Sequence, residues 1–96
     1  MKLEEIKKNI NEQLPFIKDK YKVKSIGIFG SFVKEEQKTE SDVDILVEFY
    51  EPVSLFKFID LADFLEERLS LKVALVTKKA LKPVIRDKIL NEVVYL

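Results

Sequence analysis

Apolar residues recur at three- and four-residue steps at the start of the chain: Leu3, Ile6, Ile10, Leu14 and Ile17, with lysines and glutamates between them. That period lays one apolar stripe along a helix over residues 2–21. Pro15 sits inside it, and its missing N–H and its ring predict a kink or a split there. The pattern then changes. Val23–Phe29 is a short apolar run ending at Gly30, which reads as a buried strand. Ser31–Gln37 reads as a brief helix or turn, and Lys34–Ser41 as a polar loop. Val43–Phe49 gives a second strand, closed by Pro52, and Lys72–Thr77 a third.

Between the second and third strands lies the strongest helical pattern of the chain. Ser54 suits the N-cap, and Leu55, Phe58, Ala62, Leu65 and Leu69 follow the three-four repeat. Phe56, Ile59, Leu61 and Phe64 widen the apolar face, so a sheet should cover one side and another helix or chain the other. A last helix starts near Pro83, a residue suited to a first helical position, and runs to Asn91. The apolar tail Val93–Leu96 fits an added edge strand or a partner surface. No linker, repeat or low-complexity stretch divides the chain, so residues 1–96 read as a single domain. The order of elements describes an α/β (α+β) fold, a small sheet flanked by helices.

Composition narrows the function. At 96 residues and 47% hydrophobic content, one core is adequate without staples. The 17 basic and 17 acidic residues cancel, which argues against disorder. Balanced charge also counts against nucleic acid as the direct partner, since neutralising phosphates supplies most of such affinity. The cluster Lys78, Lys79, Lys82, Arg86 and Lys88 would be the footprint of an accessory nucleic-acid domain, but it reads more simply as a solvated face. There is no cysteine and no histidine. Disulfides, thiolate or imidazole metal sites and histidine acid–base catalysis are therefore excluded, and any metal must be held by oxygen, as magnesium, calcium and manganese are. The N-terminus does not resemble a signal peptide and no run is of membrane-spanning length, so the expected location is cytoplasmic.

Candidate chemistry gathers at two places. Residues two apart on a strand share a face, so Asp42 and Asp44 project together from the start of the second strand. Two carboxylates roughly 4 Å apart repel by about 4 kcal/mol at an effective dielectric near 20. A divalent cation, a shared proton or an arginine must offset that, and magnesium bridging to substrate phosphates suits an oxygen-only ligand set. Gly30-Ser31 supplies the other half: glycine admits close approach of a phosphate, and N–H groups opening a short helix would face the same anion. Taken singly, Gly-Ser is usually a turn and Asp-x-Asp a solvated pair. Their conjunction, one closing a strand and the other opening the next, favours a nucleotide site.

Gly30-Ser31, ten residues, then Asp42-Val43-Asp44 resembles the signature of the nucleotidyltransferases of the DNA polymerase β superfamily. The resemblance is to the minimal nucleotidyltransferase branch. It extends over Ile28–Phe32, Ser41–Phe49, Val76-Thr77, Ala80–Pro83, Arg86–Leu90 and Val94–Leu96, nearly the whole chain. It implies a mixed sheet with flanking helices, magnesium-ATP as donor and AMP transfer to an acceptor. In that branch the acceptor is a tyrosine of a HEPN-type ribonuclease toxin, for which the transferase is the antitoxin. By the same resemblance Gly30 and Ser31 would bind phosphates, while Asp42 and Asp44 would be catalytic and ligate magnesium, two ions in the family. One departure stands out. The family pattern has a third acid on the third strand, where this chain has Ala74 in Val73-Ala74-Leu75-Val76-Thr77. Glu48 shares the face of Asp42 and Asp44 but lies about 13 Å past Asp44 along the strand, too far to replace it. Two readings follow: an AMP-transferring antitoxin, or a catalytically impaired one that neutralises its partner by binding alone.

Overall fold

The computed structural model describes residues 2–36, 38 and 42–96. Gln37, at the end of the expected short helix, and Ser41, in the family motif, lie outside the described residues, as does much of the expected polar loop.

Helix α1 (Leu3–Tyr21) ends at Lys22, which adopts the left-handed conformation of a C-cap, and strand β1 (Val23–Phe29) follows at once. Strand β2 (Val43–Phe49), helix α2 (Leu55–Leu69), strand β3 (Val73–Thr77), helix α3 (Pro83–Glu92) and strand β4 (Val94–Tyr95) complete the order. The sheet runs β3-β2-β1-β4. β1 is antiparallel to both its neighbours, and β2 and β3 are parallel. A parallel pair needs a crossover connection, and α2 provides it. The sheet is therefore mixed, and the tail is the added edge strand.

The two sheet faces have different cover. Val43, Ile45 and Val47 of β2 alternate into a core with Ile6, Ile10 and Ile17 of α1 and Leu61, Leu65 and Leu69 of α2. Each fully buried aliphatic side chain of this kind contributes about 1.5–3 kcal/mol. The register of β1 on β2 shifts between Val23 and Ser25, so one extra residue lets both Val23 and Ile26 face this core. The opposite face carries a smaller cluster, Phe29, Leu46 and Leu81, against which Ile89, Leu90 and Val93 pack. Helix α3 thus covers only part of that face, with no fully buried residue of its own. Asp44 belongs to this second, partly open face, because it is two residues from Leu46.

Two expectations are narrowed. α1 runs through Pro15 without splitting. The proline costs about 3 kcal/mol in a helix interior, and burial of Ile17 and Tyr21 beyond it offsets that. The wide apolar face of α2 is not covered at its N-terminal end, where Leu55 is 70% and Phe56 81% exposed.

Candidate nucleotide and metal site

Gly30 begins a three-residue 3-10 turn, Gly30–Phe32, that leaves the end of β1. Its φ of 79° is in the left-handed region, where side chains are strained and glycine is not. Phe32 is buried and pins the turn to the core, while Ser31 between them is half-buried. The Gly30 carbonyl accepts from Val33 N at 3.1 Å and from Lys34 N at 3.2 Å. Lys34 Nζ in turn pairs with Glu92 Oε1 at 3.1 Å, tying this turn to the end of α3.

The sheet brings the acid pair to the same place. Phe29 faces Asp44 across the β1–β2 ladder, so the residue after Phe29 lies beside the Asp44 side chain. A Cβ on Gly30 would collide with Asp44 Oδ2. The glycine is therefore required twice, by its backbone angle and by the carboxylate lying against it. Asp44 is half-buried and Asp42 exposed. Partial burial first, and the neighbouring Asp42 charge second, push the Asp44 carboxyl above its ordinary value.

Ala74 completes the picture by position. It pairs with Asp44 in the parallel β2–β3 register, and the next pair on that face is Leu46 with Val76. Its methyl group thus stands one strand spacing, about 4.8 Å, from the Asp44 position and on the same face. Among the described residues no three acids are grouped to hold a metal ion. What the site has is two carboxylates side by side on β2, one exposed and one half-buried. That donor set fits one divalent ion whose remaining ligands come from phosphate and water. Glu48 pairs with Ser25 further along β2, away from the acid pair.

Comparisons with known proteins identify the family and the fold. The model of the nucleotidyltransferase domain matches residues 10–96. The chain belongs to the nucleotidyltransferase family. It is 47% identical over 94 residues to the protein adenylyltransferase MntA of Thermococcus cleftensis, covering 98% of this chain and 95% of that one. A solved structure provisionally described as a minimal nucleotidyltransferase superposes with a TM-score of 0.85 at 29% identity, over 100% of this chain and 97% of that one. Two more distant structures share the fold. One is a toxin–antitoxin complex with AMP-PNP, at 24% identity and a TM-score of 0.74, over 88% of this chain and 69% of that one. The other is a tri-AMPylated HEPN toxin of Shewanella oneidensis in complex with an MNT antitoxin, at 22% identity and 0.68, over 94% and 70%. The minimal-nucleotidyltransferase fold expected from the motif is the fold found.

A further feature of the fold escaped the sequence reading. At the carboxyl ends of β2 and β3, away from the acid pair, a cavity of about 470 Å³ lies between the strands and the start of α2, with Glu48, Glu51, Leu55, Phe58, Lys78 and Lys79 among its lining. The exposed Leu55 was its visible signal, because apolar residues wider than one stripe need a cover. No helix among the described residues is long and apolar enough to cross a membrane.

Proposed function

We propose that this nucleotidyltransferase is a magnesium-dependent protein adenylyltransferase acting as the antitoxin of a toxin–antitoxin pair. AMP passes from ATP to a tyrosine of a HEPN-type toxin. The observation that carries the reading is the convergence of Gly30 and Asp44. Gly30 of the turn that suits a phosphate lies against Asp44 of the acids that suit its metal, although thirteen residues lie between them in the chain. Support comes from the adenylyltransferase name of the Thermococcus relative and from the toxin–antitoxin assemblies that share the fold.

In this reading Gly30 and Ser31 hold the triphosphate through backbone N–H groups and the serine hydroxyl. Asp42 and Asp44 would hold magnesium, which neutralises phosphate charge when bound. The tyrosine oxygen forms a bond to the α-phosphorus and releases its proton to water, the bond to the bridging oxygen breaks, and pyrophosphate leaves with the electron pair. The chain contributes mainly position and electrostatics, consistent with its lack of histidine and cysteine.

Ala74 favours a second reading, an antitoxin that neutralises by docking alone. A methyl group beside Asp44 neither binds a second ion nor accepts the tyrosine proton. The test is mass spectrometry of the cognate HEPN-type toxin after incubation with the chain, ATP and magnesium. Transfer adds AMP to the toxin, and Ala74→Asp accelerates it. No adduct with either form would sink the transferase reading. Toxin neutralisation that persists in an Asp42→Ala, Asp44→Ala double variant would establish the docking one.

A further inference from the structure

Strand β3 is an edge of the sheet, with no strand among the described residues on its outer side. Val43 N donates to the Lys72 carbonyl at 2.9 Å. With the parallel register, this sets the backbone groups of Lys72, Ala74 and Val76 toward β2 and those of Val73, Leu75 and Thr77 away from it. Glu66 Oε2 accepts from the outward Val73 N–H at 2.8 Å. Among the described residues, the Leu75 N–H and C=O and the Thr77 N–H make no hydrogen bond. The strand, Val-Ala-Leu-Val-Thr, holds no charge and no proline of the kind that guards exposed edges.

Lysines flank it: Lys72 before, Lys78 and Lys79 after. They decide which kind of chain the edge accepts. In the fully overlapped antiparallel pairing of two copies, centred on Leu75, Lys72 of each copy would stand opposite Lys78 of the other. Like charges directly opposite destabilise a sheet. A strand whose ends carry carboxylates meets the same lysines favourably.

We propose that β3 docks an extended, acid-flanked segment of the protein partner as a fifth strand. Side chains of the added strand alternate between the two faces of the sheet. Those on the open face stand next to Ala74, about two strand spacings, or about 9.6 Å, from the strand of Asp44. A methyl at position 74 leaves that lane clear for a long acceptor side chain approaching the nucleotide. Past Thr77 the segment reaches the cavity that Leu55, Phe58, Lys78 and Lys79 line, which accommodates an apolar side chain at its end. The significance for AMP transfer rests on the function proposed above. The docking itself does not.

The probe is a synthetic peptide of alternating Val, Thr and Tyr with Asp and Glu at both ends, added to the full chain without ATP or magnesium. Hydrogen exchange of the Leu75 and Thr77 amides should slow by about tenfold or more, with the amides that face β2 unchanged. Thr77→Pro removes one outward donor at a residue whose φ of −83° is close to the proline range. It should weaken peptide binding about tenfold, the equivalent of about 1.4 kcal/mol, and leave the circular dichroism and melting temperature of the chain near their original values. A peptide N-methylated on the paired side should fail to bind, and a Lys-flanked peptide should bind more weakly than the acid-flanked one. Unchanged exchange at Leu75 and Thr77, equal binding of both peptides, or indifference to Thr77→Pro would each overturn the proposal. So would a dimer of the chain that Thr77→Pro dissolves, because the occupant would then be a second copy. With no nucleotide present, failure here leaves AMP transfer standing, and failure of AMP transfer leaves the docking result intact.

Discussion

At the scale of single residues, Gly30 and Asp44 define each other. Gly30→Ala places a methyl where the carboxylate lies and forces an L-residue into left-handed backbone. The backbone term alone costs about 1–2 kcal/mol, so the variant should fold with reduced stability. Its larger effect should be on the site: the Asp44 carboxylate must turn away, and calorimetric binding of magnesium-ATP should fall by about tenfold or more. Asp44 makes the converse point. Its carboxyl is held above its ordinary value by burial and by Asp42, so ionising it costs folding energy. An acid whose pKa rises on folding contributes stability below its unfolded pKa, and that contribution is lost as pH climbs through the folded value. Asp44→Asn should therefore raise the melting temperature at neutral pH by about a few degrees, and the gain should vanish near pH 3, where both states hold the proton. A variant no more stable than the parent at pH 7 would mean that the acid pair carries no such strain.

At the scale of elements, the periodicity in the sequence was a good guide wherever burial alone decides. β1 and β2 begin and end where their apolar runs do, because most residues of each are buried. α2 starts at its cap: Ser54 Oγ accepts from Lys57 N at 3.1 Å. Ser54→Ala should cost about 0.5–2 kcal/mol, read from denaturant unfolding with an unchanged m-value. Pro15 does not split α1, because local preference counts less than burial of the residues after it. Strand order was not legible, since nothing local to Val73–Thr77 says that it lies parallel to β2 at an edge. The register that sets Ala74 beside Asp44 is a consequence of that order. The site was legible in part. Gly-Ser and Asp-x-Asp announce their chemistry by type and spacing, whereas the contact between Gly30 and Asp44 comes from antiparallel pairing that spans the intervening loop. The cavity beyond β3 had only a weak signal, the uncovered Leu55, because two stretches far apart in the chain, 47–58 and 77–79, build it.

At the scale of the whole molecule, the two faces of the sheet divide the work. The face under α1 and α2 holds nearly all the core, and the other is covered only in part by α3. The acid pair opens on the second face, where its repulsion is confined to a few residues and does not strain the main core. A ligand that relieves that repulsion must stabilise the whole chain, because anything that binds only the folded state raises its unfolding free energy, by about 2.7 kcal/mol at a hundredfold excess over Kd. Magnesium alone meets two carboxylates and no third acid among the described residues, so its effect should be small. ATP alone brings phosphate charge toward Asp42 and Asp44 with nothing to offset it. Together each supplies what the other lacks, since phosphate oxygens complete the coordination and the ion removes the charge conflict. The melting temperature should therefore rise more with magnesium and ATP together than the sum of the separate shifts, and chelation with EDTA should reverse the rise. The synergy should disappear in Asp42→Ala, which folds normally because Asp42 is exposed. An additive response, or synergy that survives loss of Asp42, would place the nucleotide somewhere other than this face of the sheet.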